Sequence, residues 1–150
     1  MSADPEVMRY LGDGRPMSRT QSWSEVAVHV GHWALRGYGQ WAIQRRQDGA
    51  SIGRAGLWNP PGWLGLEVGW KLARHAWGEG YATEAGGAAI EWAWQALGAT
   101  ELISIIQPGN VASMRVAERL GMRRLRETTF KGHDVALYGI SRPARVSQDG

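Results

Sequence analysis

The chain contains no cysteine, and this absence excludes several kinds of chemistry at once. Without thiols there is no disulfide, no thiolate metal site and no cysteine acyl-enzyme, and the composition fits a reducing compartment. No apolar run approaches the roughly 20 residues that cross a membrane as a helix. The first residues, Met1 to Glu6, lack the basic and apolar regions of a signal peptide. We therefore expect a soluble, cytoplasmic protein with no membrane partner.

A strong charge of either sign is also lacking. The 17 basic and 14 acidic residues give a formal net charge of +3, which is too small an excess to favour nucleic acid as a partner. Metal binding is not favoured either, because His29 and His32 lie three residues apart with no third ligand nearby. One basic concentration stands near the second motif below, and we interpret it either as a solvated surface or as a rim that faces an anion. Its members are Arg115, Arg119, Arg123, Arg124 and Arg126.

The length suits a single domain, which we place at residues 1–142, followed by a flexible tail at 143–150. Hydrophobic periodicity predicts helices at 22–36, 81–97 and 110–120. It predicts strands at 40–46, 51–58, 64–72, 101–106, 124–130 and 134–141. In the first helix, Val26, Val30 and Trp33 are predicted to lie near one face. Strands followed by alternating strands and helices indicate an α/β fold with a mixed sheet.

The most informative segment runs from Gly65 to Ala85. Its first part alternates as a strand, which places Glu67, Gly69 and Lys71 on the face opposite the apolar side chains. The loop Gly78-Glu79-Gly80 follows, and then an amphipathic helix begins. This order puts backbone N–H groups and the positive end of a helix dipole where an anion can sit.

Two common nucleotide-binding motifs do not fit this loop. A dinucleotide fingerprint requires a third glycine, but Thr83 holds that position. An ATPase-type phosphate loop requires Gly-Lys-Ser/Thr, which is absent. Neither NAD nor ATP is therefore favoured as the ligand.

A second motif lies one strand further along the chain. Asn110 is placed to cap the helix that contains Ser113, and that helix is followed by Leu120-Gly121-Met122. By itself, Asn110 reads equally well as an ordinary helix cap and as a ligand-binding residue.

Together the two motifs resemble the acyl-CoA-binding core of the GNAT (Gcn5-related) N-acetyltransferases. The run from Gly80 to Ala85 is similar to the version in the branch of ribosomal-protein N-terminal acetyltransferases. The resemblance implies a mixed, mostly antiparallel central sheet flanked by helices, with acetyl-CoA as co-substrate. Family members usually begin with a further strand before the segment that starts at Asp4. Its apparent absence leaves a sheet edge that a second subunit could cover, so we expect a possible homodimer.

The resemblance also implies a set of site residues. In the glycine loop, His75 holds the place of the family's usual glutamine or arginine. Many members carry a proton-donating tyrosine seven residues after the asparagine, where this chain has Ala117, so the donor here is Ser113, water or no group at all. We assign the catalytic roles to Glu67 as base and Ser113 as acid. The cofactor-binding residues implied are Trp70, Lys71, Leu72, His75, Ala76, Trp77, Gly78, Glu79, Gly80, Tyr81, Asn110, Ser113 and Arg115.

The resemblance implies direct attack of a primary amine on the acetyl thioester, with a peptide N-terminus, a polyamine, an aminoglycoside or another small amine as acceptor. The alternative is a non-catalytic module that binds acyl-CoA or a partner. Two further interpretations stay open at this point. Glu67 is either the base or a surface carboxylate paired with Lys71, and Trp33, Trp41, Trp58 and Trp63 either line an acceptor groove or belong to the core.

Overall fold

The computed structural model describes residues 1–144, so the predicted tail at 143–150 lies outside the described residues except for its first two. The helices are α1 (Pro5–Met8), α2 (Arg19–Arg36), α3 (Tyr81–Ala96) and α4 (Val111–Arg119). The strands are β1 (Gln40–Gln44), β2 (Ser51–Trp58), β3 (Glu67–Leu72), β4 (Glu101–Ile106), β5 (Arg123–Phe130) and β6 (His133–Ser141). A short 3-10 turn, Arg74–Ala76, links β3 to the glycine loop.

The six strands form one sheet in the order β1-β2-β3-β4-β6-β5. Every neighbouring pair is antiparallel except β3 and β4, which run parallel. The mixed, mostly antiparallel sheet with flanking helices confirms the predicted fold class. Within residues 1–144, no helix combines the length and the apolar character that crossing a membrane requires.

The parallel strands β3 and β4 pair over a very short length and then diverge. Its register contains a single pair of partners, Glu67 and Ile103. The backbone N–H of Ile103 still donates to the carbonyl of Leu66 at 2.9 Å. Two residues further along β4, the N–H of Ile105 donates to the side chain of Glu67 instead, at 3.2 Å. The remainder of β3 therefore has a free edge toward β4, and the sheet is split into a wedge.

The core lies between the sheet and the two helices α3 and α4. Leu57, Val68 and Leu102 from the sheet are buried against Ile90 and Trp94 of α3. An aromatic cluster packs against this core, in which the rings of Trp33, Trp41 and Trp92 meet edge to face with centroids 5.1 to 6.4 Å apart. Because this packing fixes α3 against β3, it also fixes the loop that joins them.

The first long helix differs from the prediction in its start and its buried face. α2 begins at Arg19 and is capped by Ser18, which forms a capping box with Gln21. Val26 and Val30 are 61% and 64% exposed, whereas His32 is buried. The predicted apolar face was therefore wrong for these two valines, because the helix packs on a polar part of the sheet.

The third strand is shorter than predicted. β3 begins at Glu67 rather than Leu64, because Trp58, the last residue of β2, pairs with Glu67 and leaves the earlier residues without a neighbour on that side. The remaining strands and α3 agree with the predicted ranges within a few residues.

Candidate active site

The glycine loop and the start of α3 present a row of unpaired backbone donors. Gly78 and Gly80 both adopt left-handed backbone angles, with φ of 81° and 83°, which side chains with a Cβ rarely accept. Gly80 caps α3 without a side-chain hydrogen bond. Among residues 1–144, the N–H groups of Tyr81, Ala82 and Thr83 have no hydrogen-bond acceptor. The helix dipole adds a partial positive charge here, so the loop fits an anion such as a phosphate.

This loop forms one wall of a cavity of about 330 Å³. The opposite wall is the first turn of α4, where the side chain of Asn110 accepts the N–H of Ser113 at 3.2 Å. The floor is the free edge of β3, from which the indole N–H of Trp70 donates to Ser113 Oγ at 3.3 Å. The cavity thus runs from the opening of the sheet to the N-terminus of α3, and we call it the α3 cavity.

The structure brings most of the predicted cofactor-binding residues together in the α3 cavity. Its wall includes Trp70, Lys71, Leu72, Ala76, Trp77, Gly78, Gly80, Tyr81, Asn110 and Ser113. His75, Glu79 and Arg115 are exposed and are not part of the wall. Arg119, one turn further along α4, lines the cavity where the sequence reasoning proposed Arg115. The N-terminal residues Tyr10 and Leu11 also line it, and no motif in the sequence marks them.

A second cavity of about 410 Å³ lies on the other side of the sheet opening. It shares Trp70, Lys71 and Ser113 with the α3 cavity, so the two cavities meet at β3. Its walls are mostly apolar and aromatic, and Trp58 and Trp63 are among them. Glu67 projects into this second space, which we call the Glu67 cavity.

The carboxyl group of Glu67 is partly buried, and each of its oxygens accepts one hydrogen bond. Oε2 accepts the indole N–H of Trp63 at 2.6 Å, and Oε1 accepts the backbone N–H of Ile105 at 3.2 Å. Burial raises the pKa of Glu67 from 4.5 to about 7, although these two hydrogen bonds and the positive charge of Arg54 act in the opposite direction. A carboxyl group poised near neutrality, in a cavity next to the sheet opening, is suited to proton transfer.

The alternative in which Glu67 pairs with Lys71 is wrong. Lys71 Nζ instead contacts both carboxylate oxygens of Glu25 at 2.8 and 2.9 Å, and it donates to Ser2 Oγ at 2.9 Å. Arg54 also donates to Glu25, at 2.9 Å. Burial would raise the pKa of Glu25, but the hydrogen bond and charge of Lys71, followed by those of Arg54, lower it to about 2. Lys71 therefore forms its ion pair with Glu25, which it shares with Arg54, and not with Glu67.

Residue 117, where many family members have a tyrosine, contributes to neither cavity in this protein. Ala117 is fully buried in the core, with 0% exposure, so its side chain does not reach either cavity. Ser113 is the hydroxyl that lines both cavities from α4. Its oxygen already accepts from Trp70, which leaves its own proton available for donation.

The two histidines of α2 have separate environments. Nδ1 of His32 donates to the carbonyl of Tyr38 at 2.8 Å, and Nε2 accepts the N–H of Asn59 at 3.1 Å. His29 lines the Glu67 cavity, and burial lowers its pKa to about 4. The part of the chain that the structure describes contains no group of three or more metal-binding side chains.

The four tryptophans left open by the sequence divide into two pairs. Trp58 and Trp63 line the Glu67 cavity, with ring centroids 6.2 Å apart. Trp33 and Trp41 pack with Trp92 instead and take no part in either cavity wall. The first pair therefore lines a cavity, whereas the second pair packs together away from both cavities.

The arrangement defines the class of protein: a mixed α/β domain in which an anion-binding loop and a second cavity meet at a split sheet. A family model described as an acetyltransferase (GNAT) domain matches residues 1–123. The chain therefore belongs to the GNAT acetyltransferase family.

Similar proteins agree with this assignment. The chain is 30% identical over 139 residues to the uncharacterised protein YkkB of Bacillus subtilis, covering 90% of this chain and 78% of that protein. An acetyltransferase structure from Agrobacterium tumefaciens superposes with a TM-score of 0.79 at 28% identity, covering 93% of this chain and 84% of that one. A ribosomal-protein-S5-alanine acetyltransferase from Vibrio fischeri shares the fold, with a TM-score of 0.73 at 15% identity, covering 91% of this chain and 80% of that one.

Proposed function

We propose that this protein transfers the acetyl group of acetyl-CoA to a primary amine by direct attack, with Glu67 as the general base. The observation that carries the proposal is the Glu67 carboxyl group, with a pKa near 7, beside the opening where the two cavities meet. GNAT acetyltransferases use acetyl-CoA, and the unpaired donors at the start of α3 suit its pyrophosphate.

On the side of the acetyl donor, residues of the α3 cavity would bind and orient acetyl-CoA. The backbone N–H groups from Gly78 to Thr83 would hold the phosphates, and Arg119 supplies a nearby positive charge. The free edge of β3 offers backbone groups of Trp70 and Leu72 to the amide-bearing arm of the ligand. A backbone donor aimed at the developing oxyanion is typically worth about 3–4 kcal/mol of transition-state stabilisation.

On the acceptor side, the step balances without a covalent enzyme intermediate. Glu67 removes a proton from the ammonium form of the acceptor, directly or through water, and the freed nitrogen lone pair attacks the thioester carbonyl. A carbon–nitrogen bond forms and the carbon–sulfur bond breaks. The nitrogen loses its second proton in this step, and that proton reaches the departing thiolate through the hydroxyl of Ser113 or through water, so that Ser113 ends the reaction protonated. A lysine-like amine has a pKa about 3 units above neutrality, so deprotonating it costs roughly 4–5 kcal/mol.

The first test measures binding and turnover separately. Acetyl-CoA at about 100 times its dissociation constant should stabilise the fold by roughly 2.7 kcal/mol and raise the thermal midpoint by several degrees, whereas NAD should not. An amine panel should then release free CoA, detected with a thiol reagent. Binding without thiol release from any amine would instead support the non-catalytic module, for which the buried Ala117 at the tyrosine position is the specific observation.

The base assignment has its own test in the variant Glu67→Gln. Loss of a general base typically costs about 10²–10⁴ in rate, so we expect kcat/KM to fall at least a hundredfold at pH 7. In the unmodified protein, kcat/KM should rise with pH through about 7 as Glu67 ionises, and this step should be absent in the variant. Full turnover by Glu67→Gln at pH 7 would rule out the assignment.

The cytoplasmic location and the homodimer remain predictions.

A further inference from the structure

We infer that the acceptor is an aromatic monoamine that carries an acid group, bound in the Glu67 cavity between Glu67 and Lys131. This inference rests on the proposed acetyl transfer and specifies its substrate class. It is carried by three observations: the aromatic walls, the position of Lys131, and the charges that line the cavity.

The walls of the Glu67 cavity beside Glu67 are formed by aromatic rings that pack against one another. The rings of Trp58 and Trp63 meet edge to face at 6.2 Å, and those of Trp63 and Phe130 meet edge to face at 5.0 Å. All three line the same cavity and are half-buried. Flat apolar groups are the ligands that such walls favour, because aromatic rings attract one another in offset and edge-to-face arrangements.

Lys131 is held at the edge of this cavity by an unusual turn. It joins β5 to β6 and has φ of 49°, the one positive φ outside glycine among the described residues, and Gly132 follows with φ of 79°. Two-residue hairpin turns of this kind normally take Asn, Asp or Gly at the first position. The turn places Lys131 Nζ 4.3 Å from the centre of the Trp63 ring and 5.6 Å from that of Phe130.

Trp63 links the proposed base to this lysine. Its indole N–H donates to Glu67, and the face of the same ring lies under Lys131 Nζ. Glu67 and Lys131 thus contact the edge and the face of one indole ring, so a single small ligand can reach Glu67 with its amine and Lys131 with its acid group. Within residues 1–144 Lys131 makes no salt bridge, so its charge is available to a ligand.

The charge balance of the cavity disfavours a polycation. Arg54, Lys71 and Lys131 line it together with two acids, Glu25 and Glu67. Glu25 is neutralised by Arg54 and Lys71, which leaves one positive charge in excess from that cluster. Lys131 adds a second, and Glu67 is only partly ionised at neutral pH. A polyamine or an aminoglycoside would place further positive charges against these cations, which is unfavourable.

The test compares three amines in the thiol-release assay. Benzylamine and 4-(aminomethyl)benzoate present the same reacting group on the same ring and differ in the acid group, and spermidine represents a polycation. We expect kcat/KM for 4-(aminomethyl)benzoate to exceed that for benzylamine at least tenfold, and spermidine to be the poorest of the three. Spermidine as the best substrate would overturn the acceptor class while leaving acetyl transfer in place.

The variant Lys131→Gln, with Lys131→Arg as its matched control, tests the role of the charge. The ratio of kcat/KM between the two aromatic amines should fall to about one in Lys131→Gln and stay near its original value in Lys131→Arg. Because the ratio compares substrates within one variant, a general loss of folding or activity cancels. An unchanged ratio in Lys131→Gln would contradict the inference.

A binding measurement separates this inference from the proposed function. Calorimetric titration of 4-(aminomethyl)benzoate should give a dissociation constant at least fivefold weaker for Lys131→Gln than for the unmodified protein. Binding with this dependence but without thiol release from any amine would support the acceptor site and contradict the transferase. No binding and no turnover of the aromatic amines would overturn the acceptor class.

Discussion

At the scale of single residues, the roles of Glu67 and Lys71 illustrate what strand periodicity can and cannot predict. The alternation along β3 correctly places both side chains on the same face. Which partner each one takes depends on residues far along the chain, since Lys71 reaches Glu25, 46 positions away, and Glu67 accepts from Ile105, 38 positions away. Pairing within the strand was one of the two interpretations that the sequence left open, and the tertiary contacts exclude it.

The proton-donor role of Ser113 leads to a prediction of modest size. The variant Ser113→Ala removes the hydroxyl, but the cap of α4 remains because Asn110 accepts from the backbone N–H of residue 113. A thiol has an ordinary pKa of about 8.5, so the thiolate is a fair leaving group near neutrality, and we expect kcat to fall only about tenfold.

Steady-state kinetics with acetyl-CoA and the best amine checks this expectation. The KM for acetyl-CoA should change less than twofold, and Ser113→Thr, which restores a hydroxyl, should recover most of the rate. An unchanged kcat in Ser113→Ala would assign the proton to water.

At the scale of elements, the sequence predicted the order of the six strands and of α2, α3 and α4 because their apolar periodicity is local, but it did not predict the one-turn helix α1. The strand at residues 101–106 and the hairpin at 40–58 are confirmed, with differences of a few residues at their ends. The face of α2 was not predictable in this way. Glu25 and His32 turn inward because Lys71, Arg54 and the backbone of Asn59 offer them partners, and only the tertiary structure brings those partners there.

The glycine loop was identified from its sequence, but the unpaired backbone N–H donors beside it belong to the first turn of α3, the element that follows.

We predict that Gly80→Ala weakens acetyl-CoA binding at least fivefold. Gly80 has φ of 83° and caps α3 next to the α3 cavity, so a methyl group would strain the backbone that holds the anion cradle. The measurement is the dissociation constant of acetyl-CoA by calorimetry or thermal shift.

Gly98 provides a matched control for this prediction. It has φ of 62°, and like Gly80 it has no atom within 4 Å of an added Cβ, but it lies beyond the other end of α3 and outside the α3 cavity. Gly98→Ala should therefore lower the thermal midpoint to a similar extent, through the same backbone strain of about 1 kcal/mol, while leaving acetyl-CoA affinity unchanged. Equal affinities for the two variants would contradict the cradle.

At the scale of the whole molecule, two cavities share one split in the sheet, and this arrangement depends on long-range pairing. The sequence located part of the α3 cavity wall through two motifs, and the match to the acetyltransferase (GNAT) domain confirms the family that these motifs resemble. It did not locate the N-terminal residues Tyr10 and Leu11 or the turn at Lys131, which come from opposite ends of the chain to line the Glu67 cavity. Neither segment carries a motif, so only the assembled fold reveals them.

Three partly buried groups make the stability of the fold depend on pH in opposing ways. The pKa of Glu25 falls from 4.5 to about 2 on folding, so its contribution is present above pH 4.5 and is lost toward pH 2. The pKa of His29 falls from 6.5 to about 4, so stability rises with pH across that interval. The pKa of Glu67 rises from 4.5 to about 7, so the folded state binds the extra proton and stability falls as pH rises through that window.

The opposing contributions of His29 and Glu67 give the last prediction. Both shifts are about 2.5 units, each corresponding to at most about 3 kcal/mol, so they should nearly cancel and leave the unmodified protein with a flat free energy of unfolding between about pH 4.5 and 6.5. Glu67→Gln removes the falling contribution, so its free energy of unfolding should rise by up to about 3 kcal/mol across this range. Urea unfolding at pH 4.5, 5.5 and 6.5 measures this slope independently of any constant cost of the substitution. A variant whose stability stays flat would show that the Glu67 carboxyl group is not held near neutrality by burial.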